Sequence, residues 1–383
     1  MKLEHSMNRA PGLSEPEYYS FRLLSEVEGI GAVKIKNLYA YFSSFSEVFT
    51  AAMETLIKVE GISRELAARI KKKELNNEEL KNRIAFESHK LLVLEGRCIT
   101  LWDAEYPAFL KKIYDPPLAI FILGSITPAD EKAIGIVGTR QPTHYGKQAA
   151  EQFAGDMVKA GWTIVSGLAR GIDTVAHEAA LKAGGRTIAV LGSGLDNIYP
   201  PENKKLAETI IKHGAIISEY PIGAQPDAIN FPKRNRIISG LSKGVVIVET
   251  KTTGGALITA KYAMDQNREV YAVPGSIFSA YSEGTNMIIE RSQAKLVRSA
   301  EDILEDFGES PAKRQKVKER EELRHSLNLF EQKLVSCLSD QPLSIDKLSQ
   351  MTSFSISDCL VHLLSLEFKG MVRQLPGKMF VLE

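Results

Sequence analysis

Apolar residues in this chain follow two rhythms. Between 134 and 273, short apolar runs recur at 134–138, 163–167, 187–192, 215–219, 245–250 and 269–273, each long enough for a strand buried on both faces. The stretches between them carry apolar residues at helical spacing, as at Ala150, Phe153, Ala154 and Met157. Strands alternating with helices require right-handed crossovers. They predict a Rossmann-like α/β core, a mostly parallel sheet covered on both faces.

Outside the core the helical rhythm dominates. Val27-Glu28-Gly29-Ile30 recurs 32 residues later as Val59-Glu60-Gly61-Ile62, each copy between apolar helical patterns (Ile35, Leu38, Tyr39, Phe42; then Leu66, Ala67, Ile70). That layout predicts a tandem helix-hairpin-helix (SAM-like) domain over 1–75. Two readings of its hairpins stay open: their amides hold a DNA phosphate, or their glycines only close turns. A charged helix over 76–95 and short strands at 98–102 and 118–123 lead into the core, giving an extended core over 76–307. A mixed charge run (Lys313, Arg314, Lys316, Lys318, Glu319, Arg320) marks a solvated linker over 308–325. Over 326–383, three helices and a hairpin around Pro376-Gly377 predict a winged-helix domain.

Bulk properties narrow the function classes. The chain has 383 residues, 44% hydrophobic and 25% charged, with a formal net charge of +1, so any nucleic-acid surface is a local patch. Its three cysteines, Cys98, Cys337 and Cys359, lie far apart without CxxC spacing, which fits a reducing cytoplasm and argues against a disulfide framework or a zinc site. No run reaches membrane-spanning length and the first residues lack a signal-peptide core, so no membrane association is expected.

The chemistry concentrates in turns at strand ends. Gly138-Thr139-Arg140, Ser166-Gly167-Leu168-Ala169-Arg170-Gly171 and Thr252-Thr253-Gly254-Gly255-Ala256 each precede a helix, whose free amides and positive dipole end favour an anion. The first turn lacks GxGxxG and no ribose-binding acid ends the second strand; no GxxxxGK[ST] occurs either. NAD and a P-loop nucleotide are therefore not expected, and no cofactor is assigned. The turns carry arginine instead. Arg140 and Arg170 sit beside helix starts, Phe231-Pro232-Lys233-Arg234-Asn235-Arg236 adds positive charges, and Asn203-Lys204-Lys205 brings another pair. Several basic clusters on one rim suit a polynucleotide backbone. For any single arginine, Arg236 above all, an ion pair in the core is an equal alternative.

At these residues the chain resembles the DNA-processing protein A family (DprA/Smf). IVGTR (136–140), SGLARGID (166–173), GLDNIYPPEN (194–203), SEYP (218–221), FPKRNRIISGLSKGVVIVE (231–249), GGALITA (254–260) and VPGSI (273–277) occur in the family's order. The resemblance implies a single-stranded DNA binder that acts as a homodimer, protects incoming DNA in natural transformation and loads the RecA recombinase. It further implies that Arg140, Ser166, Gly167, Lys204, Lys233 and Arg234 fall in the DNA pocket. Arg170, Gly171, Phe231, Arg236, Gly254 and Gly255 complete the candidate site, with Phe231 placed to stack on a base. The third helix of the winged module is mostly apolar and carries Asp358 and Glu367, so DNA and a protein partner both remain open as its role.

The rival reading is an enzyme like the nucleotide phosphoribohydrolases. Glu219 and Glu249 end adjacent apolar runs as a potential carboxylate pair, and Asp173 and His177 share a helix face at metal-ligand spacing. Strand-end glutamates also accept loop amides, and an acid in a first helical turn offsets the dipole. The loop TKTTGGALITA lacks the PGGxGT order of those enzymes. As a dimer surface, Met287, Ile288 and Ile289 are the candidates, with core packing as the alternative.

Overall fold

The computed structural model describes residues 13–72, 78–309, 327–338, 342–369, 371–375 and 377–382. The charged run at 313–320, most of the expected linker and Pro376 lie outside the described residues. Residues up to 300 form one compact unit and those from 301 a second.

In the first unit the repeat folds as two helical hairpins. Helices α1 (Glu15–Ser25), α2 (Ala32–Phe42), α3 (Phe45–Thr50), α4 (Met53–Leu56) and α5 (Arg64–Lys71) precede the longer α6 (Glu78–Val93). The hairpin glycines Gly29 and Gly61 both take positive φ, +86° and +81°, which explains why glycine recurs there. Their helices share an apolar core with one face of the sheet, where Tyr39 stacks on Trp102 at 4.1 Å and Tyr18 meets Phe121 edge-on at 6.3 Å.

Each apolar run of the core forms a strand. They are β3 (Ala133–Gly138), β4 (Thr163–Ser166), β5 (Thr187–Leu191), β6 (Ala215–Ser218), β7 (Gly244–Val248) and β8 (Glu269–Ala272), preceded by β1 (Arg97–Thr100) and β2 (Ala119–Gly124) and followed by the short β9 (Lys295–Leu296). They make one nine-stranded sheet in the order β1-β2-β6-β5-β4-β3-β7-β8-β9. From β6 to β9 all pairs are parallel, with Ile134 opposite Ile164 and Ile136 opposite Val246. β2 runs antiparallel to both β1 and β6.

The short α7 (Ala108–Lys111) lies between β1 and β2, and α8 (His144–Lys159) carries the chain from β3 to β4. Later crossovers run through α9 (Ile172–Lys182), α10 (Lys204–His213), α11 (Asn230–Leu241) and α12 (Ala256–Asp265). α11 and α12 pack on one face of the sheet with Val165, Val190 and Val245, while α10 and the helical hairpins pack on the other. The candidate dimer residues also belong to this core: Ile288 is 4% exposed, and Met287 and Ile289 pack against the same cluster. Core packing thus accounts for Ile288, while Met287 and Ile289 stay partly exposed.

The second unit holds helices Leu329–Cys337, Ile345–Thr352 and Ile356–Phe368 and a three-stranded sheet from Leu343–Ser344, Val372–Leu375 and Met379–Leu382, a winged helix. Asn328 caps its first helix in a reciprocal box with Glu331. Among the described residues, no helix is long and apolar enough to cross a membrane.

Candidate nucleic-acid interface

The chain leaves β3 toward β4 on one side and returns later to place β7 on the other, so the β3–β7 boundary is a topological switch point. Open α/β sheets bind ligands in the crevice at such points, beyond the carboxyl ends of the strands. Here a cleft of about 700 Å3 occupies that position. Arg140, Tyr199, Phe231, Asn235, Lys251, Gly254 and Gly255 line it, and a smaller recess beside it adds Arg170.

Its anion character comes from the backbone as much as from side chains. Gly171 caps α9 and Gly255 caps α12 without a side chain. The Ile172, Leu257 and Ile258 amides go to backbone carbonyls, so the anion preference of these ends rests on the helix dipole and the first-turn amides that remain. Gly171 sits at φ +83°, and a Cβ there would lie 2.8 Å from the Cα of Arg140; only glycine lets the two turns abut. The Arg140 loop is held at both ends. The Thr139 amide donates to the Glu249 carbonyl at 2.8 Å, its carbonyl accepts from the Ile172 amide at 3.2 Å, and the Thr143 amide donates to the Glu249 carboxylate at 2.8 Å. Arg140 itself is exposed, its guanidinium 5.8 Å from the centre of the Phe231 ring. Phe231 in turn packs at 5.6 Å against Tyr199, over which Arg170 lies at 5.8 Å. Two aromatic rings flanked by two guanidinium groups make a platform suited to bases and phosphates together.

Not every candidate residue has a free group to offer this cleft. Ser166 is fully buried and donates its hydroxyl to the Ile136 carbonyl at 2.6 Å. Gly167 lines the smaller recess, but its amide donates to Asp173 at 3.0 Å and its carbonyl accepts from Arg234 at 2.6 Å. Arg234 is 4% exposed and donates to the Gly167 carbonyl at 2.6 Å and to the Val190 carbonyl. Burial lowers its guanidinium to about 10, partly offset by nearby Asp173, and the neighbouring charge of Arg140 lowers it further. Arg234 is a cation of the core that braces the wall of the cleft. Arg236 pairs with Glu219 at 2.6 Å and Asp115 at 3.3 Å, so the ion-pair reading holds for it. Arg170 is half-exposed but engaged by Glu202 through both of its carboxylate oxygens. Lys204 stands exposed at the start of α10, outside the lining of both recesses, and Lys233 lies on the opposite side of α11.

Tyr199, Lys251 and Asn235 were not singled out by the sequence. A signal existed for Arg234: it shares the i, i+3, i+4, i+7 stripe with Ile237, Ile238 and Leu241, the buried face of α11.

The groups a hydrolase would use are spread apart. Four strand steps separate the ends of β6 and β7, about 19 Å at sheet spacing, so Glu219 and Glu249 form no carboxylate pair. The Glu249 carboxylate instead holds Thr143 at the end of the Arg140 loop. Asp173 and His177 are both buried, the first receiving the Gly167 amide and the second bonded to the Thr187 hydroxyl at 2.7 Å. In the winged helix, Lys369 at the end of the third helix is spent on Glu331 at 2.8 Å.

The comparisons with known proteins agree along the chain. The profile of DNA recombination-mediator protein A matches residues 97–308, that of the DprA winged helix domain 319–378, and that of the SAM-like helix-hairpin-helix tandem 21–76. Protein Smf of Synechocystis is 34% identical over 92% of this chain and 96% of its own length. DNA processing protein DprA of Bacillus subtilis is 49% identical over 55% of this chain and 71% of its own. Among solved structures, DprA of Streptococcus pneumoniae superposes with a TM-score of 0.64 at 33% identity, covering 77% of this chain and 98% of that one. DNA processing protein A of Helicobacter pylori, whose structure concerns its single-stranded DNA binding mode, superposes with a TM-score of 0.50 at 31% identity over 55% of this chain and 95% of that one. With its helix-hairpin-helix tandem, its switch-point core and its winged helix all accounted for, this chain belongs to the DNA-processing protein A (DprA/Smf) family.

Proposed function

We propose that this chain binds single-stranded DNA in the switch-point cleft, gripping the sugar-phosphate backbone and stacking bases on Phe231 and Tyr199, and that it acts in recombination rather than as an enzyme. The observation that carries the reading is the convergence of exposed Arg140 with the uncapped starts of α9 and α12 around that aromatic pair. Phosphates suit the helix starts and guanidinium groups, and base faces suit the rings. In a duplex those faces are already stacked, which favours a single strand. The Helicobacter pylori relative, whose structure concerns single-stranded DNA, supports the same substrate. Loading of RecA on the bound strand, protection of incoming DNA, assembly as a homodimer and a cytoplasmic location are part of the same proposal, and rest on family membership.

The test is a gel-shift comparison of single-stranded and duplex DNA, with hydrolysis of nucleoside monophosphates assayed in parallel. Tighter binding of the single strand without hydrolysis is expected. Preference for the duplex, or turnover of the nucleotide, would overturn the reading.

A further inference from the structure

The start of α11 is a wall between two recesses. On the side away from the switch-point cleft lies a groove of about 600 Å3 between the core and the helical hairpins, closed by α1 and the start of α2. Both recesses open on the same edge of the sheet, since the groove is bounded by the carboxyl end of β6 and the start of antiparallel β2. β3 and β6 are three strand steps apart, about 14 Å. Lys233 joins them. It sits exposed at the lip of the groove, directly after Phe231 and Pro232, which line the first cleft.

The groove's chemistry differs from that of the first cleft. Its walls offer two half-buried rings, Tyr220 and Tyr262, and two carboxylates, Glu219 and Asp115. Arg236 engages one oxygen of each carboxylate, leaving Glu219 Oε2 and Asp115 Oδ1 without a hydrogen bond among the described residues. Arg236 is itself 9% exposed, and its Nη1 has no hydrogen-bond partner among them. Half-buried Glu219 and exposed Asp115 repel phosphate but accept hydrogen bonds from the exocyclic amino groups of bases, as Asp and Glu do from cytosine N4. A phosphate left at the lip would meet Lys233.

We propose that the strand held in the first cleft continues past Pro232 and Lys233 into this groove, which takes its next nucleotides base-inward and favours bases bearing an amino group over thymine. This deepens the function proposed above and rests on it. The first cleft reads no base through its backbone contacts; the groove adds a base preference, and only to a strand long enough to reach it.

The experiment measures affinity of the full chain for two lengths of homopolymer, one filling only the first cleft and one spanning both, in oligo-dC and oligo-dT. Tyr262→Ala should weaken the longer oligomer by about fivefold and leave the shorter unchanged, with Tyr262→Phe restoring affinity. Oligo-dC should exceed oligo-dT on the longer length only, and Asp115→Asn, at an exposed side chain, should narrow that gap. A 4-thiothymidine placed beyond the first-cleft nucleotides should photo-crosslink to the groove. Unchanged binding of the longer oligomer by Tyr262→Ala, or equal loss on both lengths, would overturn the groove. Arg140→Ala on the shorter oligomer tests the first cleft by itself, so failure of either site is read separately.

Discussion

A Cβ on Gly167 would lie 2.6 Å from the guanidinium of Arg234, which donates to the Gly167 carbonyl. Glycine here is a space requirement of a buried cation. Gly167→Ala should therefore lower stability by about 1–3 kcal/mol through overpacking. Thermal melting without DNA is the check, and an unchanged melting temperature would show that Arg234 moves aside freely.

Arg140 is the opposite case, an exposed side chain on a braced loop. Arg140→Ala should weaken single-strand binding roughly tenfold or more, the scale of a charged hydrogen bond. The melting temperature should stay where it was. Loss of both together would mean that Arg140 holds the loop rather than the ligand.

Salt dependence counts the phosphate contacts. With Arg234 inside the core and Lys204 outside the recesses, the exposed cations that line the cleft or its lip and have no acidic partner among the described residues are Arg140, Lys251 and Lys233. At about −0.7 per contact on a single strand, the slope of log affinity against log salt should be near −2 per protomer rather than the −3 of four contacts. A titration on homopolymer strands measures it, and a flat response would sink the backbone-binding reading.

Asp173 and His177 lie one turn apart on α9, and both are buried. Burial lifts the Asp173 carboxyl from 3.8 to about 6 and lowers the His177 imidazole from 6.5 to about 3, the charge of Arg234 adding to the second effect. As pH falls from about 6 to about 4, the folded chain takes up a proton at Asp173 that the unfolded chain does not, which favours folding. Over the same window the unfolded chain takes one up at His177 and the folded chain does not, which opposes folding. The two effects nearly cancel. His177→Asn, which keeps a polar partner for Thr187, removes the second alone. Relative to wild type it should gain stability as pH drops below about 6.5, by up to about 1.4 kcal/mol per pH unit. Urea midpoints across that range decide it; a constant gap between the two proteins would count against a neutral buried imidazole.

The winged helix should contribute little to strand binding, because Lys369, the cation at the end of its third helix, is paired with Glu331. A chain ending at Phe307 should keep its single-strand affinity within about tenfold. A larger loss would make the winged helix a main DNA site.

Much of this architecture is legible in the sequence alone. The runs at 134–138 and 245–250 form β3 and β7 because a strand buried on both faces must be apolar throughout, a pattern visible in one sequence. The partners of β1 and β2 are not legible: short strands announce themselves, but antiparallel pairing onto β6 is decided by distant residues. In the candidate site, Arg140 and the turns at Gly171 and Gly255 are readable because they follow directly from a strand end and a helix start next to them in sequence. FPKRNR reads as a surface cluster because charge draws the eye, while helical phase sends Arg234 inward and Lys233 outward. Tyr199 gives no signal, since its place beside Phe231 depends on two segments over thirty residues apart in sequence.

The anchoring of the Arg140 loop on Glu249 has a kinetic consequence. A loop fixed at both ends needs no reshaping when a strand arrives, so association should be limited by encounter. Ionic strength would then act chiefly on how fast strands are captured, and substitution of Arg140 on how long they stay. A surface that captures quickly and sets residence time through one exposed side chain can hand its strand on without first having to change shape.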